Sequence, residues 1–198
     1  MTGPKRTMIL PPVDLRPVAA MGARLLKQVG GHFALVGGLA MQAYGSDRIT
    51  KDVDFAVTEL QGAQAAARWP GQTRPLNIGG VALITDTSTI DLIDRRVELR
   101  ALFIESIDAA VRSGFTTVAE GEEMLVVPAE YLVAMKMAGA RHKDEADIGF
   151  LMVLPSLDYR RARDIVHRHL GFFAARHLDR MARSAGRTDA PRAYDEEE

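Results

Sequence analysis

LVGGLAMQAYGSDRITKDVDFAV, running from Leu35 to Val57, is the stretch that decides the fold. Its left end closes a short apolar run, His32 to Val36, with glycine pairs on both sides at 30–31 and 37–38. A run that is short, apolar and bounded by glycine predicts a buried strand. LAMQAYG then predicts a short helix stopped by Gly45, and SDRITK a polar turn. DVDFAV alternates polar and apolar, which is strand periodicity. Asp52 and Asp54 therefore share one face, and Val53 and Phe55 point into a core on the other.

Each piece taken singly has an ordinary explanation. A strand-Gly-Gly-helix junction is more often a tight turn than a ligand site. It does allow close approach of backbone to a ligand, and it presents the free N–H groups of a helix start to an anion. An Asp-x-Asp strand is as readily a solvated edge. Yet two carboxylates side by side repel, and a bound cation relieves that cost. Oxygen ligands of this kind suit Mg²⁺, with Mn²⁺ as an alternative, bound together with substrate phosphates. A third carboxylate, Asp91 in TIDLID (89–94), lies between Ile90 and Leu92 on a second predicted strand. It is a candidate metal ligand or base for an attacking hydroxyl. Asp86 and Asp94 are rivals that fit turns better. The order Gly-Gly, helix, Asp-x-Asp strand, separate Asp strand is uncommon as a set.

Outward from this centre, residues 1–12 read as a loose arm. Residues 14–29 read as an amphipathic helix with Leu15, Val18, Met21, Leu25 and Val29 near one face, and Asp14 as a possible cap. Residues 59–69 are Ala-rich and helical, and 70–75 a loop. Strands are expected at 81–85 and 89–94, a further strand or strand end at 98–103, and two short strands at 115–118 and 124–127. Residues 103–114 are ambiguous up to Gly114. Pro128 opens a helix that, if unbroken from 130 to 150, lines up Lys136, Ala140, Lys143 and Asp147 in one stripe. The ordinary explanation of that stripe is an exposed ion-paired face, Lys143 and Asp147 being spaced i, i+4. Helices near 158–169 and 171–184 complete the chain. The fold class is α+β: a short mixed sheet backed by helices, followed by C-terminal helices. The division expected is an α/β core with its N-terminal helix at 1–127 and a helical region at 128–198 that completes the site.

Composition is that of an ordinary globular chain: 198 residues, 47% hydrophobic, 26% charged, net charge −1. The absence of cysteine excludes disulfides and thiolate metal sites and fits a reducing cytoplasm. No apolar run predicts a signal peptide or membrane span, so no membrane partner is expected. Arg160 to Arg192 is rich in Arg and His, and the chain ends Asp195-Glu196-Glu197-Glu198. RNA contact is one reading of the basic segment, and a solvated helix face with a frayed acidic end is the plainer one. His167 and His169, two apart on a helix, splay their rings and make a poor metal pair. Trp69 and the methionines at 135, 137 and 152 read as packing.

The run from Leu35 to Val57 resembles the signature of the polymerase-beta-like nucleotidyltransferase superfamily. The string Arg48-x-Thr50-x-Asp52-x-Asp54 and the later PAEYLVAMKMAGARHKDEADIGFL are similar to the branch around the abortive-infection AbiEii-like toxins. The resemblance covers roughly residues 30–155. It implies a nucleotidyltransferase fold in which Gly37 and Gly38 contact a triphosphate. Asp52, Asp54 and Asp91 would bind Mg²⁺, and Lys136 would reach a nucleotide phosphate. Arg48, Thr50, Arg141 and Lys143 are further candidates for nucleotide binding, and either Asp144 or Asp147 supplies the acid of the last motif. It implies transfer of a nucleoside monophosphate from an NTP to a tRNA end or a protein hydroxyl, and a cognate antitoxin as a partner. Two other classes stay open. One is a non-catalytic, sequestering relative, against which the intact carboxylates argue. The other is an antibiotic-modifying enzyme, which needs an acidic pocket for a cationic drug.

Overall fold

Alternation in the sequence becomes a five-stranded mixed sheet in the computed structural model, which describes residues 14–95 and 99–191. The strands are β1 (Ala34–Val36), β2 (Asp52–Ala56), β3 (Thr73–Pro75), β4 (Val81–Ile84) and β5 (Thr89–Ile93). Their order is β1-β2-β5-β4-β3. The β2 and β5 strands run parallel, and every other neighbouring pair is antiparallel. Strands β6 (Thr116–Ala119) and β7 (Glu122–Leu125) form a separate hairpin, joined to the sheet edge by a bridge between Leu35 and Val126. The helices are α1 (Arg16–Val29), α2 (Gly37–Ala43), α3 (Glu59–Arg68), α4 (Arg100–Ser113), α5 (Ala129–Gly139), α6 (His142–Met152), α7 (Tyr159–Leu170) and α8 (Phe172–Ser184). The chain is thus an α+β protein with C-terminal helices, as the periodicities predict. The arm at 1–12 and the acidic end at 195–198 lie outside the described residues.

One apolar core joins the sheet to the helices. Val53 and Phe55 of β2 and Ile90 and Leu92 of β5 are fully buried, together with Leu26 of α1, Leu132 of α5 and Val166 of α7. Because Val53 and Phe55 must be inside, Asp52 and Asp54 must face the opposite way. The α1 helix packs by its small residues. Val18, Ala19, Gly22, Ala23 and Leu26 are buried, whereas Met21 is 38% exposed. That face is rotated from the one drawn through Met21, Leu25 and Val29. The reason is close approach: a Cβ on Gly22 would lie 2.8 Å from the Phe55 ring. Asp14 is not the cap: Leu15 holds the N-cap position without a side-chain cap, and Asp14, one residue outside it, accepts the Arg16 backbone N–H at 3.0 Å.

Three expectations are corrected. Residues 99–103 do not form a strand, residue 98 lying outside the described residues; 100–103 open α4, whose Leu102, Phe103, Ser106, Ile107 and Ala110 bury a 3.6-residue stripe. Residues 70–75 are not wholly loop, since Thr73–Pro75 adds an exposed edge strand where proline is tolerated. The unbroken helix from 130 to 150 on which the stripe of Lys136 and Lys143 depends is not formed. Ala140 adopts φ 49°, ending α5, and α6 starts at His142. The break has a local cause. Asp144 folds back so that its carboxylate accepts the Arg141 backbone N–H at 3.2 Å. Gly139 leaves the room, because a Cβ there would lie 2.6 Å from Asp144 Oδ2.

Candidate active site

The parallel register of β2 and β5 sets Asp54 directly beside Asp91. With Asp52 two residues before Asp54, three carboxylates converge, each offering an oxygen within 4.8 Å of the others. The antiparallel register of β1 sets Val36 opposite Asp54, so the chain turns into α2 at the carboxylate itself. Gly37 turns there with φ 65°, and a Cβ on it would lie 1.9 Å from Asp54 Oδ2. Only glycine fits. The Gly38 backbone N–H lies near enough to Asp54 to favour its charged form.

Burial and crowding set the electrostatics. Burial first, then the charges of Asp52 and Asp91, push the Asp54 carboxyl up to about 7, against the opposing pull of Lys136 and the Gly38 N–H. Burial and Asp52 likewise raise Asp91, opposed by a Thr89 hydrogen bond and Arg74. One oxygen of Asp91 is buried without a hydrogen-bond partner. A folded-state pKa above the unfolded one means that the native state holds a proton the unfolded chain releases. This group's effect therefore makes the native state progressively less stable as pH rises from about 4 to about 7, and constant above that. The difference in melting temperature between Asp54→Asn and wild type, both free of metal, should grow over that window by the equivalent of about 1–2 kcal/mol. A difference that stays flat from about pH 4 to about pH 8 would refute the electrostatic account of Asp54.

A cavity of about 390 Å³ opens over the carboxylates. Gly37, Asp52, Asp54 and Asp91 line one side, and Lys136, Gly139 and Arg141 another. The apolar wall includes Ile78, Phe103, Leu132 and Met135. Arg95 lines it too, with its guanidinium 5.7 Å from the Phe103 ring centre. The wall residues and Arg95 do not figure among the sequence candidates. Arg95 was within reach, because extending the alternation of Asp91 and Ile93 by two residues lands on it.

The other candidates lie behind the cavity rather than in its lining. Asp147 accepts an ion pair from Lys136 Nζ at 2.6 Å and another from Arg48 at 2.8 Å. Asp144 pairs with Arg141 at 2.7 Å and with Lys136 Nζ at 3.5 Å. Burial opposes ionisation of Asp144, but the Arg141 hydrogen bond and the Lys136 charge hold its carboxyl below the ordinary range. Thr50 Oγ1 donates to Asp52 Oδ1 at 2.8 Å. The two acids left as alternatives by the sequence are thus both used, in different pairs. Lys143 is exposed on α6, outside this cluster, because the helix break dissolves the stripe that joined it to Lys136. Asp86 lies exposed in a bend, whereas Asp94 is buried, and neither belongs to the carboxylate group. The basic segment is partly neutralised by Arg163–Asp179, Arg168–Glu105 and Arg187–Asp189 pairs.

Residues 20–166 match the family described as nucleotidyl transferase AbiEii toxin, type IV toxin–antitoxin system. The chain belongs to the AbiEii nucleotidyltransferase family. It is similar in structure to an antigenic nucleotidyltransferase-like protein from Paracoccidioides brasiliensis, with 14% identity, a TM-score of 0.50, and coverage of 85% of this chain and 92% of that one. The antibiotic-resistance factor ANT(2'')-Ia is 15% identical, with a TM-score of 0.47 over 87% of this chain and 94% of its own. No functionally curated protein matches by sequence. The AbiEii match spans β1, β2, β5, α5 and α6, and so takes in the carboxylates and their cationic wall. No helix among the described residues is long and apolar enough to cross a membrane.

Proposed function

We propose that this AbiEii-family chain transfers a nucleoside monophosphate from a nucleoside triphosphate to a hydroxyl of an RNA or protein, using Mg²⁺ or Mn²⁺. The observation that carries the reading is the facing of three close carboxylates and two cationic side chains across one cavity. A divalent cation fits the donors present. All three offer oxygen, Asp91 has a buried oxygen with no hydrogen-bond partner, and Asp54 is destabilised by its neighbours' charge. Asp52, Asp54 and Asp91 would hold it. When bound, such a cation neutralises the charge that develops on phosphate oxygens during in-line displacement.

The chain's own groups supply the rest. Gly37, whose missing side chain makes room for Asp54, lines the cavity with its backbone and is where a phosphate would approach the carboxylates. Asp91, raised by burial and lying in the cavity, takes the proton of the acceptor hydroxyl. The bond from that oxygen to the α-phosphorus forms as the α–β phosphoanhydride bond breaks. Lys136 and Arg141 receive the charge of the departing pyrophosphate, and Asp147 and Asp144 orient them. On this reading the region from residue 128 onward completes the site, contributing Lys136 and Arg141. The partner that restrains the enzyme is the antitoxin of the same system.

The test uses α-labelled nucleoside triphosphates with Mg²⁺, offering total bacterial RNA and protein as acceptors. Label is expected on one acceptor class, and is expected to vanish in the Asp52→Asn/Asp54→Asn double variant. No transfer with any nucleotide, together with no binding of Mg-nucleotide, would overturn the proposal.

A further inference from the structure

We infer that Thr50 is a positioning residue for the carboxylate centre: its hydroxyl fixes Asp52, and its bulk imposes glycine at position 38. The inference rests on the reading of Asp52, Asp54 and Asp91 as cation ligands proposed above.

Thr50 precedes β2 by two residues and is buried, with 8% of its surface exposed. It is absent from the lining of the cavity that the three carboxylates share. Its hydroxyl has one proton to donate, and Asp52 Oδ1 receives it at 2.8 Å. Asp52 stands beside two other acids, and repulsion would drive its side chain outward. The hydroxyl counters that drift and leaves the second Asp52 oxygen available. A group that hydrogen-bonds to a ligating carboxylate sets both its orientation and its affinity.

The other side of Thr50 abuts Gly38. A Cβ on Gly38 would lie 2.4 Å from Thr50 Cβ and 2.5 Å from Thr50 Oγ1. Gly38, unlike Gly37, has no left-handed backbone that would by itself demand glycine. What excludes a side chain at 38 is Thr50. Gly38 in turn presents its backbone N–H towards Asp54, favouring the charged carboxylate. The two residues thus brace one another while each holds one carboxylate.

The test is direct binding of Mn²⁺ alone to the full-length, nucleotide-free protein, with free Mn²⁺ read by electron paramagnetic resonance. Thr50→Val keeps the shape and removes the donor, and Thr50→Ser keeps the donor. Mn²⁺ affinity should fall about tenfold in Thr50→Val and stay within about twofold of wild type in Thr50→Ser, with melting temperatures close to wild type in both. Wild-type affinity in Thr50→Val would overturn the inference. So would an equal loss in Thr50→Ser, which would assign the effect to packing of the methyl group. The steric half is read separately by melting temperature. Gly38→Ala should lower it in the wild-type background and have little effect on top of Thr50→Gly, where the space is open, and an equal cost in both would refute it. Wild-type protein that takes up no Mn²⁺ would bring down the metal reading itself and the role of Thr50 with it. Mn²⁺ uptake with neither nucleotide binding nor nucleotidyl transfer would leave Thr50's role intact and refute the proposed reaction.

Discussion

Asp54→Asn is expected to lower nucleotidyl transfer about a thousandfold or more while raising the stability of the metal-free protein. Both effects have one origin. Asp54 sits between Asp52 and Asp91, and burial with their two charges lifts its carboxyl to about 7. Above that pH the folded protein keeps Asp54 charged, crowded against its two acidic neighbours. Asparagine removes one charge yet retains an oxygen that can accept the Gly38 N–H, so the local fold is preserved. The gain at pH 8 should be on the order of 1–2 kcal/mol once solvent screening is allowed for. The loss of transfer follows from removing a cation ligand at the centre of the group. Unfolding curves and single-turnover transfer on the same preparation measure the two together. A folded, more stable variant that still transferred label would sink the role given to Asp54. An inactive variant with no gain in stability would instead refute the electrostatic cost.

The second large effect is expected at Asp147. Its carboxylate is 4% exposed and accepts both Lys136 and Arg48. Asp147→Asn keeps the volume but leaves two cations short of their shared counter-charge. Lys136, also buried, would retain only Asp144 at 3.5 Å. Breaking one side of a buried ion pair destabilises by about 3–5 kcal/mol. Chemical denaturation should show a loss of about that size, and transfer should fall through weaker nucleotide binding, because Lys136 is the member of the trio that lines the cavity. A wild-type unfolding midpoint would mean that Lys136 and Arg48 are held by other groups. A large loss of stability with unchanged nucleotide affinity would remove Lys136 from the nucleotide site.

What was legible in the sequence divides along physical lines. The carboxylates could be read because strand periodicity is two and leaves little freedom once Val53 and Phe55 are assigned to the core. The strand-to-helix turn at Gly37 could be read for a similar reason: few residues other than glycine permit it. The cationic side of the cavity was legible only in part. Lys136 and Arg141 were named through the resemblance, but helical spacing gave Lys136 the wrong neighbour, Lys143. The break at Ala140 depends on Asp144 reaching back into the space left by Gly139, and no count of residues per turn contains that contact. Ile78, Phe103, Leu132 and Met135 come from a loop and two helices and meet only in three dimensions. The buried face of α1 was misplaced because alanine and glycine carry little hydrophobic signal, although they allow the closest packing.

The pairing of Asp54 with Asp91 in adjacent parallel strands has an evolutionary consequence. Their spacing is a lattice constant of the sheet, about 4.8 Å, set by backbone hydrogen bonds and not by any loop. Residues 57–88 connect the two strands through α3, β3 and β4. Insertions or deletions confined to the loops of that connection can reshape the rim of the cavity without altering the geometry of the carboxylate pair.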